Sequence, residues 1–331
     1  MSEIAGTKNS KENGFKIGTL LTQNATLVAL VALILFNVIF TKHFISIQTL
    51  NVNLTQVATI VIVGVGMTLV IATGGIDLSV GSLMAISGAI APLIFLGTVV
   101  KINEIHVAVA VGMVTAVLAS GAFGWFNGWL ITRFRIQPII ATLVLFIAGR
   151  GIAQVSTNGN LQPFKVFEFQ WIGLGRLFGI PAQVIIMVIL VAAAAWILRR
   201  SMFGRQILAI GGNENAARLA GIPVASVKRW VYCICGLCSG IAGLVTIAIN
   251  SSSDANLVGL GMELDAIAAV AVGGTLLSGG RATVTGTLIG ALIIQLVRYT
   301  LLANGVPDDV AKLVKALLIV LAVWLQRQSR A

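Results

Sequence analysis

The sequence predicts an all-α, polytopic integral membrane protein of about ten transmembrane helices, with an internal repeat and both termini cytoplasmic. Three observations carry this. Of 331 residues, 57% are hydrophobic and only 10% charged, against about 25% charged in an average soluble domain. Mean hydropathy is +0.99, and apolar runs recur from Ala25 to Leu325, most of them near the roughly 20 residues that a helical crossing of hydrocarbon requires. The basic residues gather between the runs and favour one side of the predicted bilayer.

In chain order the runs are 24–40, 52–73, 79–99, 107–131, 137–156, 182–198, 229–250, 263–278, 284–303 and 310–326. The first follows a polar head carrying Lys8, Lys11 and Lys16. It is long enough to span and has no small-residue cleavage site before the next run, which separates it from a secretory signal peptide. Two crossings are weak: 79–99 is interrupted by Gly81, Gly88, Pro92 and Gly97, and 263–278 opens with Glu263 and Asp265. Either is a candidate re-entrant segment, tolerable only where protein or enclosed water supplies the missing backbone partners. Residues 24–326 form one transmembrane domain, flanked by cytoplasmic segments 1–23 and 327–331.

Orientation follows from charge. With the amino terminus inside, fourteen of the 22 Lys and Arg face the cytoplasm, among them Arg133, Arg135, Arg199, Arg200 and Arg218. Lys42, Lys101, Lys165 and Arg176 fall outside, and Arg150, Arg298, Lys312 and Lys315 fall within spans toward their outer ends. Trp125, Trp129, Trp196, Trp230 and Trp324 near inner ends and Trp171 in an outer loop fit an interfacial belt without using charge. The net charge of +11 is thus explained by membrane topology and gives no reason to expect nucleic acid as a partner. Cys233, Cys235 and Cys238 share one apolar run with no His or carboxylate in it, so they read as small packing residues and imply no disulfide framework.

A repeated motif marks the interior. Thr73-Gly74-Gly75-Ile76-Asp77-Leu78-Ser79-Val80-Gly81-Ser82-Leu83 matches Ser278-Gly279-Gly280-Arg281-Ala282-Thr283-Val284-Thr285-Gly286-Thr287-Leu288 at a constant offset of 205. Glycine-broken segments at corresponding places in two halves border the substrate path in many transporters. That makes Gly74, Gly75, Asp77, Ser79, Gly81, Gly279 and Gly280 candidates for the pathway or its hinges. Six runs separate the two copies, so they point the same way unless one run is re-entrant, in which case the halves are inverted. Asp77 has two readings that can coexist: an oxygen capping the next helix or a polar group lining the passage. Glu263 and Asp265 are read as marking an outer span boundary.

All eleven acids lie in loops or at span edges, so no buried relay of ionisable groups points to proton or sodium coupling. A passive facilitator or secondary carrier is the alternative function. His43 and His106 sit at outer span edges, away from any nucleophile, so no catalytic residue, metal site or cofactor is expected in the chain. It also lacks a G-x-x-x-x-G-K-[ST] loop, so any ATP must be handled by a partner. The one long cytoplasmic loop, 199–228, holds a short helix within 213–222. Asn213 caps it, Glu214 complements its positive end, and Gly221 and Pro223 stop it. Ala216 and Ala217 keep it slim, with Leu219 and Ile222 as anchors. It is either a helix that inserts into a partner's groove or an ordinary interfacial helix.

Four stretches, GMTLVIATGGIDLSVGS (66–82), GRQILAIGGNENAARLAGIPV (204–224), MELDAIAAVAVGGTLLSGGR (262–281) and GTLIGALIIQ (286–295), carry a family likeness. The chain resembles the inner-membrane permease subunits of bacterial ABC sugar importers of the ribose, xylose, arabinose and galactofuranose group. The second stretch is similar to the family's ATPase-coupling segment, with Asn215 where the general Glu-Ala-Ala-x-x-x-Gly pattern has Glu. Ser253-Asp254-Ala255-Asn256 looks most like galactofuranose-type members, with ribose-type members close. The resemblance implies import of a monosaccharide across the inner membrane by a homodimer of this chain. It further implies a cytoplasmic ABC ATPase that binds ATP and Mg, and a periplasmic sugar-binding protein. Asn213, Glu214, Ala216, Ala217, Arg218, Leu219, Gly221 and Ile222 are then the expected coupling residues.

Overall fold

The computed structural model describes residues 25–328. The predicted segment 1–23, with Lys8, Lys11 and Lys16, and residues 329–331 of the tail lie outside the described residues. Each apolar run folds as a helix. They are α1 (Ala25–Phe40), α2 (Ile47–Ala72), α3 (Val80–Phe95), α4 (Ile105–Phe134), α5 (Pro138–Ser156), α7 (Ala182–Arg200), α10 (Val224–Asn250), α11 (Met262–Val272), α12 (Val284–Ala303) and α13 (Asp308–Gln328). The expected short helix is α9 (Glu214–Leu219), and two helices not foreseen from the sequence are α6 (Phe167–Leu174) and α8 (Met202–Gly212). Four two-residue strands complete the described residues. Of these, β1 (Gln162–Pro163) pairs antiparallel with β4 (Ser252–Ser253), tying the connection after α5 to the one after α10. Likewise β2 (Arg176–Leu177) pairs with β3 (Ile180–Pro181) in a hairpin. Among the described residues, α2, α4, α5, α7, α10 and α12 are long and apolar enough to cross a membrane.

The central element is α2. Ser46 caps its start, Oγ accepting from the Thr49 amide at 3.1 Å, and its side chains are buried continuously from Val57 to Ala72. A helix apolar on every side belongs inside the protein, and α2 packs against α7, α10, α11 and α12. The cysteines pack as expected: Cys235 and Cys238 of α10 are buried against Gly66 of α2, where a Cβ would lie 2.8 Å from the Cys235 backbone. Helices α4 and α10 approach through small residues, Gly124 standing against Tyr232 and Gly236 against Ser120. Lipid supplies no hydrophobic force between helices, so such close approach and its van der Waals contact is what holds them.

The two weak crossings are both incomplete helices. With a rise of about 1.5 Å per residue, the 16 residues of α3 and the 11 of α11 fall short of the ~30 Å hydrocarbon thickness. Non-helical stretches, 73–79 before α3 and 254–261 before α11, continue them. The first turn of α3 and the stretch 254–261 cross at Gly81 and Gly259, each of which would drive a Cβ into the other's carbonyl oxygen. Arg150 of α5 holds this crossing, donating to the carbonyls of Ala255 at 2.9 Å, Val258 at 2.5 Å and Gly81 at 3.4 Å. A guanidinium with five donors thus serves acceptors that hydrocarbon would leave bare.

Glu263, read as marking an outer boundary, stands in the first turn of α11 and is 7% exposed, its Oε2 2.6 Å from where a Gly81 Cβ would sit. Asp265 is ion-paired with Lys315 of α13. The descent of 254–261 along α3 carries both acids inward, which apolar periodicity did not reveal.

Candidate functional site

The segment after α7 is built as two consecutive helices. Ser201 caps α8, Oγ accepting from the Gly204 amide at 3.0 Å, and Ile207 and Ile210 bury one face. Spacing of three apolar positions on one stripe is the signal that would have found α8 in the sequence. It ends at Gly211-Gly212, and Asn213 opens α9, its Oδ1 accepting from the Ala216 amide at 3.0 Å. Glu214 pairs with Arg218 at 3.0 Å and with Lys228 of α10 at 2.6 Å, which ties the first turn of α9 to the following helix.

The end of α9 is a Schellman closure: the Gly221 amide donates to Arg218 O and the Ile222 amide to Ala217 O, both at 3.1 Å. Gly221 has φ +80° with open space where a Cβ would go, so glycine is needed there for its backbone and not for room. Ala217 is buried and Ala216 exposed. The two expected anchors divide, since Ile222 packs on the chain's own core while Leu219 is 90% exposed.

The α8–α9 turn meets both copies of the repeated motif. Gly211 is wedged so that a Cβ would strike the Ala72 carbonyl oxygen and the Gly280 amide, and those two groups are themselves hydrogen-bonded at 3.1 Å. Gly279 leaves space for only 2.7 Å to the Gly74 amide and 3.0 Å to Gly211. Gly74, Gly279 and Gly280 adopt φ of +78°, +86° and +81°, in the region that admits glycine without steric penalty. Higher up the same helices, Thr68 and Thr287 share a 2.7 Å hydrogen bond. The sequence paired these motifs by resemblance to each other; the structure puts them in backbone contact and adds α8.

Above this junction the segment 73–79 runs through the protein with its polar groups held by three other helices. The Tyr232 hydroxyl of α10 donates to Ile76 O at 3.4 Å, and the Leu78 amide donates to Thr142 Oγ1 of α5 at 3.1 Å. Asn127 of α4 donates to Ser79 Oγ at 2.9 Å. Asp77 Oδ1 accepts from the Ser79 amide at 2.9 Å and its hydroxyl at 2.6 Å, a local turn just before α3. Asp77 and Ser79 are both fully buried. Gly75 faces the Tyr232 hydroxyl. Tyr232, Asn127 and Thr142 were not singled out in the sequence, and Arg150 was read only as a basic residue toward the outer part of a span; each is an isolated polar residue in an apolar run, and only the fold shows what it holds.

A family model described as "Branched-chain amino acid transport system / permease component" matches residues 49–323. The chain belongs to this permease family. The permease is 41% identical over 314 residues to the ribose import permease protein of Escherichia coli K12, covering 94% of this chain and 95% of that one. It is 37% identical over 310 residues to the galactofuranose transporter permease protein of the same organism, covering 91% and 89%. To the fructose import permease protein of Bifidobacterium longum it is 33% identical over 339 residues, covering 98% and 93%. No solved structure matches the permease.

Proposed function

We propose that this permease is the membrane-spanning subunit of an ATP-driven ABC importer and carries a monosaccharide of the ribose or galactofuranose kind across the bacterial inner membrane. It works as a homodimer with a cytoplasmic ABC ATPase, which holds ATP and Mg, and a periplasmic sugar-binding protein. The observation that carries the mechanism is Gly211 lodged between Ala72 and Gly280. A force applied to α9 reaches the end of α8 through Asn213 and is delivered to both glycine loops at once, because no side chain intervenes to absorb it.

The coupling residues are Asn213, Glu214, Ala216, Ala217, Arg218, Leu219, Gly221 and Ile222. Leu219, exposed on a polar tip, is the anchor offered to the ATPase, and Gly221 and Ile222 keep α9 closed. The hinges are Gly74, Gly75, Gly279 and Gly280, with Asp77, Ser79 and Gly81 holding the entry to α3. The chain crosses ten times, α3 and α11 completing their crossings through 73–79 and 254–261, and both termini are cytoplasmic. Arg199, Arg200, Arg205 and Arg218 beside α8 and α9, with exposed Trp196 and Trp230, support that side as the inner face.

Reconstitution tests this reading. Vesicles holding the permease, the partner ATPase and the binding protein take up labelled ribose only when ATP is supplied. Uptake driven by an ion or sugar gradient, with the ATPase left out, would make the protein a secondary carrier.

A further inference from the structure

We infer that an uncharged patch of carboxamides and hydroxyls on α2, α7 and α12 lines the water-filled route of the sugar, at the ends of those helices remote from α8 and α9. The inference rests on the monosaccharide reading above and names side chains that it leaves unassigned: Asn53, Thr55, Gln56, Gln183 and Gln295.

Gln295 of α12 reaches across to α2, Nε2 donating to Gln56 Oε1 at 2.5 Å and to Asn53 Oδ1 at 3.5 Å. Gln183 of α7 donates to Thr55 Oγ1 at 2.9 Å. Gln56 lies nine residues into α2 and Gln295 eight before the end of α12, so both sit about 12–14 Å below those helix ends. At that depth a surface that faced lipid would be apolar, yet Gln56 is exposed. Moreover, Gln183 Oε1 and Gln295 Oε1 have no donor although their residues are 1% and 2% exposed.

Residues kept only to bind helices together would use up their acceptors on one another. Here two buried carbonyl oxygens and the Nε2 end of one exposed carboxamide remain over, from three helices distant in sequence, and lipid has no hydrogen-bonding group to give them. A sugar hydroxyl both donates and accepts, as a carboxamide does through its two ends. The patch carries neither a charge nor an aromatic ring, so it solvates a passing neutral polyol without trapping it, as conduction requires.

The test is thiol accessibility and uptake in the intact importer. Gln56→Cys reacts with a charged, membrane-impermeant thiol reagent above the level of the parent chain, whereas Leu35→Cys, 56% exposed on α1, does not. Gln56→Leu and Gln295→Leu each lower labelled ribose uptake about tenfold at unchanged membrane level, and Gln56→Asn retains more than Gln56→Leu. No reaction at Gln56→Cys together with unaltered uptake by the Leu variants overturns the inference. So does disulfide cross-linking of Gln56→Cys between two copies without reagent access, which makes the patch a seal between subunits. If the parent importer moves no ribose, the cargo reading falls on its own, while reagent access at Gln56→Cys still decides whether water lines this route.

Discussion

Asp77 shows what one buried carboxylate does in this protein. Its Oδ1 takes both the amide and the hydroxyl of Ser79, and Ser79 in turn receives Asn127, so one oxygen orders the entry to α3 and fastens it to α4. Asp77→Asn keeps that oxygen, and near-parental uptake and folding are expected. Asp77→Ala strands the Ser79 amide in a dry interior, a loss of roughly 1–3 kcal/mol, read as lower yield and a lower Tm in detergent. Equal loss in both variants would show that the charge itself is required.

Gly211→Val is the complementary case. Its side chain would displace Ala72 and Gly280, at about 1–3 kcal/mol for overpacking, and ATP hydrolysis by the assembled importer should continue while ribose uptake is lost. Uptake at the parental rate would remove the junction from the mechanism. The sequence made the glycines of this site legible, because a motif recurring at a fixed offset needs no structure to be seen. It hid the contact itself, since Gly211 differs from any other glycine only through Ala72 and Gly280, far apart in sequence, that stand against it.

Among the elements, α9 was fully legible. Asn213, Glu214, Gly221 and Pro223 are local signals, and a helix of six residues is set by its caps. Gly221→Val meets no obstacle but forces a β-branched residue to φ near +80°, at roughly 1–2 kcal/mol. The expected outcome is lost ATP-dependent uptake with normal membrane insertion, measured by immunoblot beside transport.

By contrast, the surroundings of α11 were not legible. Glu263 and Asp265 look like a polar boundary until the segment 254–261 is seen to descend beside α3, a long-range pairing that no window of sequence contains. Nearby, Asp308 joins α13 to α12 through Arg298 at 2.9 Å and pairs within α13 with Lys312 at 3.2 Å. The Lys312 hydrogen bond, followed by that of Arg298, holds its carboxyl below the ordinary value of 3.8. A carboxylate held low stabilises above its unfolded value and loses that contribution only as pH falls through the folded one. The clasp therefore holds at any pH above the ordinary 3.8 and opens only as pH falls below it. Protease nicking between α12 and α13 should stay flat above that value in the parent, and Asp308→Asn should abolish the change seen at lower pH.

The whole molecule reads as a conduit that is moved from outside itself. Its composition announces the membrane, its glycine loops mark where helices break, and Leu219, an exposed apolar side chain on a polar tip, is where the proposed mechanism has force enter. What the sequence could not convey is that these are a single assembly, with α9 continuous through Gly211 to both loops. The most direct test places one thiol at the tip. Leu219→Cys in inverted and right-side-out vesicles should react with an impermeant reagent from the cytoplasmic side alone, and should cross-link to the ATPase in the assembled importer. Reaction from the opposite side, or full reactivity undiminished when the ATPase is bound, would contradict it.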